Sequence, residues 1–188
     1  MTVLAIDTSS RRRIVCVLTD PHGHVQRAET RDDADIDAVL PVALASLLDG
    51  RLGHVVVVIG PGSYTGIRAG MAAALGIAHA RSLPLHGVSG FEVIAAAAAA
   101  QGGAQGWALI DAGRGGAYAA RFEGGAVAPG WSRVDVAEFS GGDLPVYSAD
   151  PLAGARRLEP PAALAAAVPA ALAAAPLARD ALQPLYPA

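Results

Sequence analysis

The stretch Val55-Val56-Val57-Val58-Ile59-Gly60-Pro61-Gly62-Ser63-Tyr64-Thr65-Gly66-Ile67-Arg68-Ala69-Gly70 decides the fold. Its first five residues carry no polar alternation, which marks a strand covered on both faces. Its last residues open an alanine-rich helix expected from about Ile67 to Ser82. A strand, a glycine-rich turn and a helix in that order place backbone N–H groups at a helix N-terminus. Phosphate, carboxylate or another chain's backbone can be accepted there. The alternative is that Gly60, Gly62 and Gly66 only permit tight backbone angles and close packing.

Working outward, Val3 to Asp7 and Ile14 to Leu18 are apolar runs of strand length with Thr8 to Arg13 as their turn. His24 to Thr30 reads as a third strand behind the turn Asp20-Pro21-His22-Gly23, so the chain opens on a three-strand meander. Asp33 to Asp49 spaces Ile36, Val39, Leu40, Ala43, Leu44, Leu47 and Leu48 as one helical stripe. Asp33 or Asp35 can cap it, and Pro41 should kink it or mark its first full turn. Leu85 to Val88 is a further strand and Gly90 to Gln101 a third helix. The small and polar run 101–106 then sets the boundary between a first lobe, 1–101, and a shortened second lobe, 102–188.

Past that boundary the opening order returns. Trp107-Ala108-Leu109-Ile110-Asp111 repeats the Ile-Asp ending of Val3-Leu4-Ala5-Ile6-Asp7, and Ala117 to Phe122 and Ala126 to Val134 complete a second meander. Val146-Tyr147 is a minimal strand, and Pro161 to Ala175 reads as one alanine helix interrupted by Pro169. The tail from Asp180 to Ala188 is irregular. A meander followed by alternating helices and strands, given twice, is the order of an α/β, duplicated actin-like (ribonuclease-H-like) two-lobe fold with a mixed sheet in each lobe and a reduced second lobe.

All fourteen basic residues are arginine, which excludes a Walker A lysine, a Schiff-base lysine and a lysine general base. The formal charge is −3 and the only dense basic run is Arg11-Arg12-Arg13, so composition argues against strong, direct RNA binding by this chain alone. Cys16 is the single cysteine, expected as a small apolar strand residue. No stretch reads as a signal peptide or a membrane span, and a cytoplasmic setting is expected.

In the actin-like order, Asp7 and Asp111 would face the cleft and hold a hydrated Mg²⁺ beside a nucleotide. Alternatively each accepts backbone N–H bonds in its own turn. Asp7 is followed by Thr8-Ser9-Ser10 with no glycine, and Gly141-Gly142 leads to a strand rather than a helix, so Asp7, Thr8 and Asp111 read as a degenerate cleft. The five histidines contain no His-x-x-x-His pair, which leaves a metallopeptidase without ligands. Ser63 lacks a base to activate it. Gly66, Gly70, Ala73 or Ala74, and Ile77 recur at helical spacing as a small-residue face for another helix or for the chain's own sheet.

These residues resemble the bacterial TsaB (YeaZ) family, a subunit of the machinery that makes N6-threonylcarbamoyladenosine in tRNA. Gly60 to Arg68 is similar to its Gly-Pro-Gly-Ser-Phe/Tyr-Thr-Gly-hydrophobic-Arg signature, Leu4 to Ser9 to its opening strand, and Ile110-Asp111-Ala112 through Tyr118 to the start of its second lobe. The resemblance implies a non-catalytic scaffold that pairs with a TsaD-like transferase through first-lobe helices, here Ile36, Val39, Leu40, Gly66, Arg68, Gly70, Ala73, Ala74 and Ile77. It also implies self-association as a dimer through that surface, a TsaE-like ATPase joining the complex, only indirect contact with tRNA, and no cofactor of the chain's own. A nucleotide at a partner interface stays open, as do two other readings: an actin-like nucleotide-binding phosphotransferase and a glycoprotease-like peptidase. The chain departs from the family pattern at Gly113, where arginine is common, and at Gly116, where glutamate is common.

Overall fold

The computed structural model describes residues 1–32, 35–178 and 181–186. β1 (Thr2–Asp7), β2 (Arg13–Thr19) and β3 (Val25–Asp32) form the opening meander, followed by α1 (Ile36–Leu47), β4 (Leu52–Val58), α2 (Tyr64–Arg81), β5 (Leu85–Val88) and α3 (Gly90–Ala100). β4 and β5 join parallel to β1, giving the sheet order β3-β2-β1-β4-β5. The second half gives β6 (Gln105–Gly113), β7 (Gly116–Glu123), β8 (Ala126–Val127), β9 (Ser132–Asp135), β10 (Val146–Ser148) and β11 (Arg156–Arg157). Its sheet runs β11-β10-β6-β7-β8, with β9 also on β7. Read from the meander edge, the two sheets have the same order, and β6 occupies the place of β1. The fold is the duplicated actin-like one.

Two-residue periodicity explains the layering. In β1, Val3 and Ala5 point to one core and Leu4 and Ile6 to another, while β4 divides Val56 and Val58 from Val55 and Val57 in the same way. Leu40, Leu44 and Leu47 of α1 and Ile67, Met71, Ala74 and Ala78 of α2 close the second of these cores. α3 lies on the second sheet, and α4 (Pro160–Ala166) crosses back onto β1, β2 and β3, so that α3 and α4 pack against each other between the sheets. The second lobe is reduced because turns replace the equivalents of α1 and α2. Its outer face around Leu109, Ala117 and Ala119 is covered by Trp107, Val134, Val136, Phe139, Val146 and Leu152 instead.

Several boundaries differ from the sequence expectation. The single strand expected over 126–134 is broken into β8 and β9, because Pro129 brings no N–H to the ladder and Gly130 turns through a positive φ of 84°. The alanine helix ends at Ala166 rather than at Pro169, because Pro169 sits in the first turn of a new helix, α5 (Val168–Ala173), where its missing N–H costs nothing. β11 carries no apolar run and was not expected. Asp35 caps α1, its side chain accepting the N–H of Asp37, whereas Asp33 lies outside the described residues. α1 runs through Pro41, which is on its exposed side.

Cys16 is fully buried in β2, and burial followed by the negative charges of Asp7 and Glu29 pushes its thiol up to about 12, which makes it an inert core residue. His54 of β4 and His86 of β5 face each other at 3.1 Å (Nδ1 to Nε2). Burial lowers both pKa values, and for His86 the charge of His54 adds to the effect. A lowered histidine pKa means that the unfolded chain takes up protons below about pH 6.5 that the folded chain refuses. Stability is therefore expected to fall as pH drops from about 6.5, by up to roughly 1.4 kcal/mol per unit per group. Denaturant melts at pH 7.5 and pH 5.5 should show that loss, and His86→Gln should reduce it.

Candidate functional site

The glycine-rich joint between β4 and α2 is closed on all sides. Ser63 caps α2, its Oγ accepting the N–H of Gly66, and its own N–H donates to the Ser9 carbonyl at 2.7 Å. Gly62 holds a positive φ of 153° with the Ser9 carbonyl 2.2 Å from where a Cβ would stand, so only glycine fits. A Cβ on Gly66 would lie 2.0 Å from the Thr8 carbonyl, and one on Gly70 2.1 Å from Thr8 Oγ1. Thr8 in turn donates its hydroxyl to the Gly66 carbonyl at 2.7 Å. The Gly60 carbonyl accepts the N–H of Gly90 at the start of α3, and Leu185 of the tail donates to Ile59. Of the N–H groups at this helix N-terminus, that of Gly66 is taken by the Ser63 cap, while Tyr64 and Thr65 are exposed. The joint is a packing hub between two turns, a helix and the tail.

The proposed interface residues divide accordingly. Gly66, Gly70, Ala74 and Leu40 are buried within the chain, because α2 turns its small residues onto the β1–β2 turn and the sheet, and a partner cannot meet them. Arg68 is exposed, its guanidinium bonded to the Tyr64 hydroxyl and lying over that ring. Ile36, Val39, Ala73 and Ile77 are half-buried at the rim of the core. The outward side of the two helices is instead made by residues such as Val42, 66% exposed, and Ala38, Ala45, Ala72 and Gly76.

The cleft carboxylates are occupied. Asp7 Oδ1 accepts the N–H and the hydroxyl of Ser9 at 2.9 and 2.6 Å, and burial, opposed by these bonds and by the Arg13 charge, leaves its pKa raised. Asp111 Oδ1 accepts the N–H of Gly113 at 2.8 Å. Both thus serve their own turns. The residue that joins the lobes is Asp150, which the sequence did not single out. Its Oδ1 accepts from Arg13 at 3.2 Å and from the Ser10 hydroxyl at 3.1 Å, and its Oδ2 from the Asp111 N–H at 3.2 Å. It lies two residues past β10, whereas Asp7 and Asp111 lie within β1 and β6, so no local pattern marks it. Among the described residues, no three His, Cys, Asp or Glu side chains cluster as a metal site.

Beside this knot lies a cavity of about 530 Å³ lined in part by Arg12, Arg13, Asp111, Arg114, Asp150 and Arg157. A second, of about 630 Å³, is lined by Arg11, Ala112, Gly113, Arg114 and Arg133. The two positions that depart from the family pattern are roofed by arginines from elsewhere. Arg11 Nε stands 3.0 Å from the site of a Cβ on Gly113, and an Arg133 nitrogen 2.3 Å from that on Gly116.

Two sheet units of the same strand order, with Asp7 and Asp111 each accepting bonds from its own turn, define a protein of the duplicated actin-like class. The family model described as TsaD, tRNA N6-adenosine threonylcarbamoyltransferase, matches residues 36–141, more than half of the chain. The chain belongs to this family, which is one of tRNA modification. Its fold is that of YeaZ: the structure of YeaZ from Pseudomonas aeruginosa superposes over 98% of this chain and 99% of its own, with a TM-score of 0.71 at 21% identity. A second Pseudomonas aeruginosa structure, of an uncharacterized protein with similarity to peptidase YEAZ, gives 0.72 over 98% of each chain, also at 21% identity. An uncharacterized protein of Mycobacterium tuberculosis is 37% identical over 106 residues, covering 50% of this chain and 47% of its own. One from Mycobacterium leprae is 34% identical over 102 residues, covering 49% and 28%. The chain therefore spans less than half the length of these curated relatives. No helix among the described residues is long and apolar enough to cross a membrane.

Proposed function

We propose that this chain is a non-catalytic subunit that binds and activates a TsaD-like transferase in the formation of N6-threonylcarbamoyladenosine in tRNA. The observation that carries the reading is the commitment of Asp7, Asp111 and Asp150 to internal bonds and to Arg13, within a family of tRNA modification. With one oxygen of Asp7, one of Asp111 and both of Asp150 engaged as structural acceptors, the centre is better suited to holding its own turns together than to general-base chemistry. The partner meets the outward side of α1 and α2, around Val42 and Ala72, and a second copy of the chain can use the same side. A TsaE-like ATPase joins through the transferase, and a nucleotide, where one binds, sits at that junction.

The test is co-purification with the cognate transferase. Val42→Glu, at an exposed position that leaves the core untouched, is expected to weaken pairing at least ten-fold, or about 1.4 kcal/mol. A folded Val42→Glu protein that pairs as the parent does would remove the assignment of this face. Gly70→Trp and Ala74→Arg are not usable for this purpose, since both positions are internal. The phosphotransferase alternative requires ATP turnover by the isolated chain that disappears in Asp7→Ala. The peptidase alternative requires proteolysis.

A further inference from the structure

Composition spreads fourteen arginines over 188 residues with a net charge of −3, but the fold gathers them. The two adjoining cavities at the mouth of the cleft share Gly113 and Arg114, and together they are lined by Arg11, Arg12, Arg13, Arg114, Arg133 and Arg157. Among the described residues, the carboxylates that line them are Asp32, Asp111 and Asp150. Arg13 is consumed by Asp150. Arg11 and Arg133 are different: their bonds go to the main-chain carbonyls of Ala112 and Gly113, at 3.4 and 3.1 Å, which orient the guanidinium groups without neutralising them. Among the described residues, Arg11, Arg114, Arg133 and Arg157 make no ion pair. Asp135, on the same strand as Arg133, lines neither cavity, and its Oδ1 accepts the N–H of Ala137.

Arg114 sits at the tip of the β6–β7 turn, exposed, with φ of 55°, in the left-handed region that a residue with a side chain seldom occupies. Its flanking glycines, Gly113 and Gly115, also have positive φ, and Gly113 and Arg114 line both cavities. Arg11, Arg114 and Arg133 thus line one cavity together, and Arg114 lines the adjoining one as well. Arginine forks match phosphate oxygens in planar, two-bond geometry. No aromatic residue lines either cavity, so the trough offers no stacking platform for a base.

From this geometry we propose that the trough formed by Arg11, Arg114 and Arg133 at the mouth of the interlobe cleft binds the sugar-phosphate backbone of RNA. The inference rests on the tRNA-modification reading for its choice of polyanion, and it adds a direct contact from this chain. The trough, two adjoining cavities that share Gly113 and Arg114, offers arginines to more than one phosphate. With no base pocket, recognition is by charge and backbone shape, so the contact positions the RNA without reading its sequence. Affinity is correspondingly salt-sensitive, since each phosphate neutralised releases counterions.

The experiment is a fluorescence anisotropy titration of a labelled, unmodified tRNA transcript with the full chain, alone and paired with the transferase, at several salt concentrations. Arg114→Glu, whose side chain holds no internal bond to lose, is expected to weaken binding at least ten-fold at low salt. Combining Arg11→Gln, Arg114→Gln and Arg133→Gln is expected to flatten the logarithmic salt slope by roughly 2 to 3. Arg121→Gln, on β7 away from the trough, should bind as the parent does. Unchanged tRNA affinity in folded Arg114→Glu overturns the proposal, and so does micromolar binding of pyrophosphate or ATP by a chain that does not bind tRNA. Retained pairing with the transferase without any arginine effect overturns the trough alone. Lost pairing with a retained arginine effect overturns the subunit reading alone.

Discussion

Replacing Gly66 by alanine is expected to destabilise the protein by about 3 kcal/mol or more, enough to unfold a substantial fraction of a marginally stable chain. The added Cβ would stand 2.0 Å from the Thr8 carbonyl oxygen, and the second atom in its way, 3.2 Å off, is the Thr8 carbonyl carbon. Backbone cannot yield there without moving β1 or α2, and the Thr8 hydroxyl would also lose its bond to Gly66. Gly70→Ala makes an instructive comparison, because its Cβ would meet the Thr8 hydroxyl, a side-chain atom, at 2.1 Å. The cost of Gly70→Ala should therefore shrink by about 1 kcal/mol or more in a Thr8→Ala background, while that of Gly66→Ala should not. Urea denaturation of the parent, the three single variants and the two double variants measures both. Equal rescue at the two positions would mean that the helix, rather than the turn, adjusts.

The second large effect is expected at Asp150. Asp150→Ala leaves the Arg13 guanidinium, in a residue 8% exposed, without its ion-pair partner, and it strands the Ser10 hydroxyl and the Asp111 N–H. Breaking a buried pair from one side typically costs about 3–5 kcal/mol, more than the pair contributes relative to an apolar replacement. The double variant Arg13→Met/Asp150→Leu is accordingly expected to recover about half of that loss or more. Thermal melts of the single and double variants distinguish this from a simple packing defect, which the double change would deepen. Since Asp150 also ties the β1–β2 turn to the end of β6, Asp150→Ala should increase amide exchange at Ser10 and Asp111 together.

The two results bear on why the site was only partly legible. The sequence placed Asp7 and Asp111 at matching strand ends with two readings, a metal-holding pair or acceptors within their own turns, and in the structure Asp7 accepts from Ser9 and Asp111 from Gly113. It gave no indication of Asp150, because Arg13 and Asp150 are 137 positions apart and nothing local distinguishes an aspartate that crosses between lobes from one in a surface turn. Spacing in α2 was read correctly as a small-residue face. Spacing alone left open which way the face points, and the structure turns Gly66, Gly70 and Ala74 inward.

What the sequence determined by itself is therefore whatever repeats at short range. The unbroken run from Val55 to Val58 specified a strand covered on both faces, the three- and four-residue stripe specified α1, and the twice-given meander ending in Ile-Asp specified the duplication. The tertiary structure alone decided which surfaces those elements use: the closing of the glycine joint on Thr8 and Ser9, the crossing of α4 onto the first sheet, the Arg13–Asp150 tie and the collection of dispersed arginines at one cleft. The reason is physical. Periods of 2 and 3.6 residues record which side of an element is apolar, but contacts between residues far apart in the chain depend on how sheets and helices are brought together, and no local period encodes that.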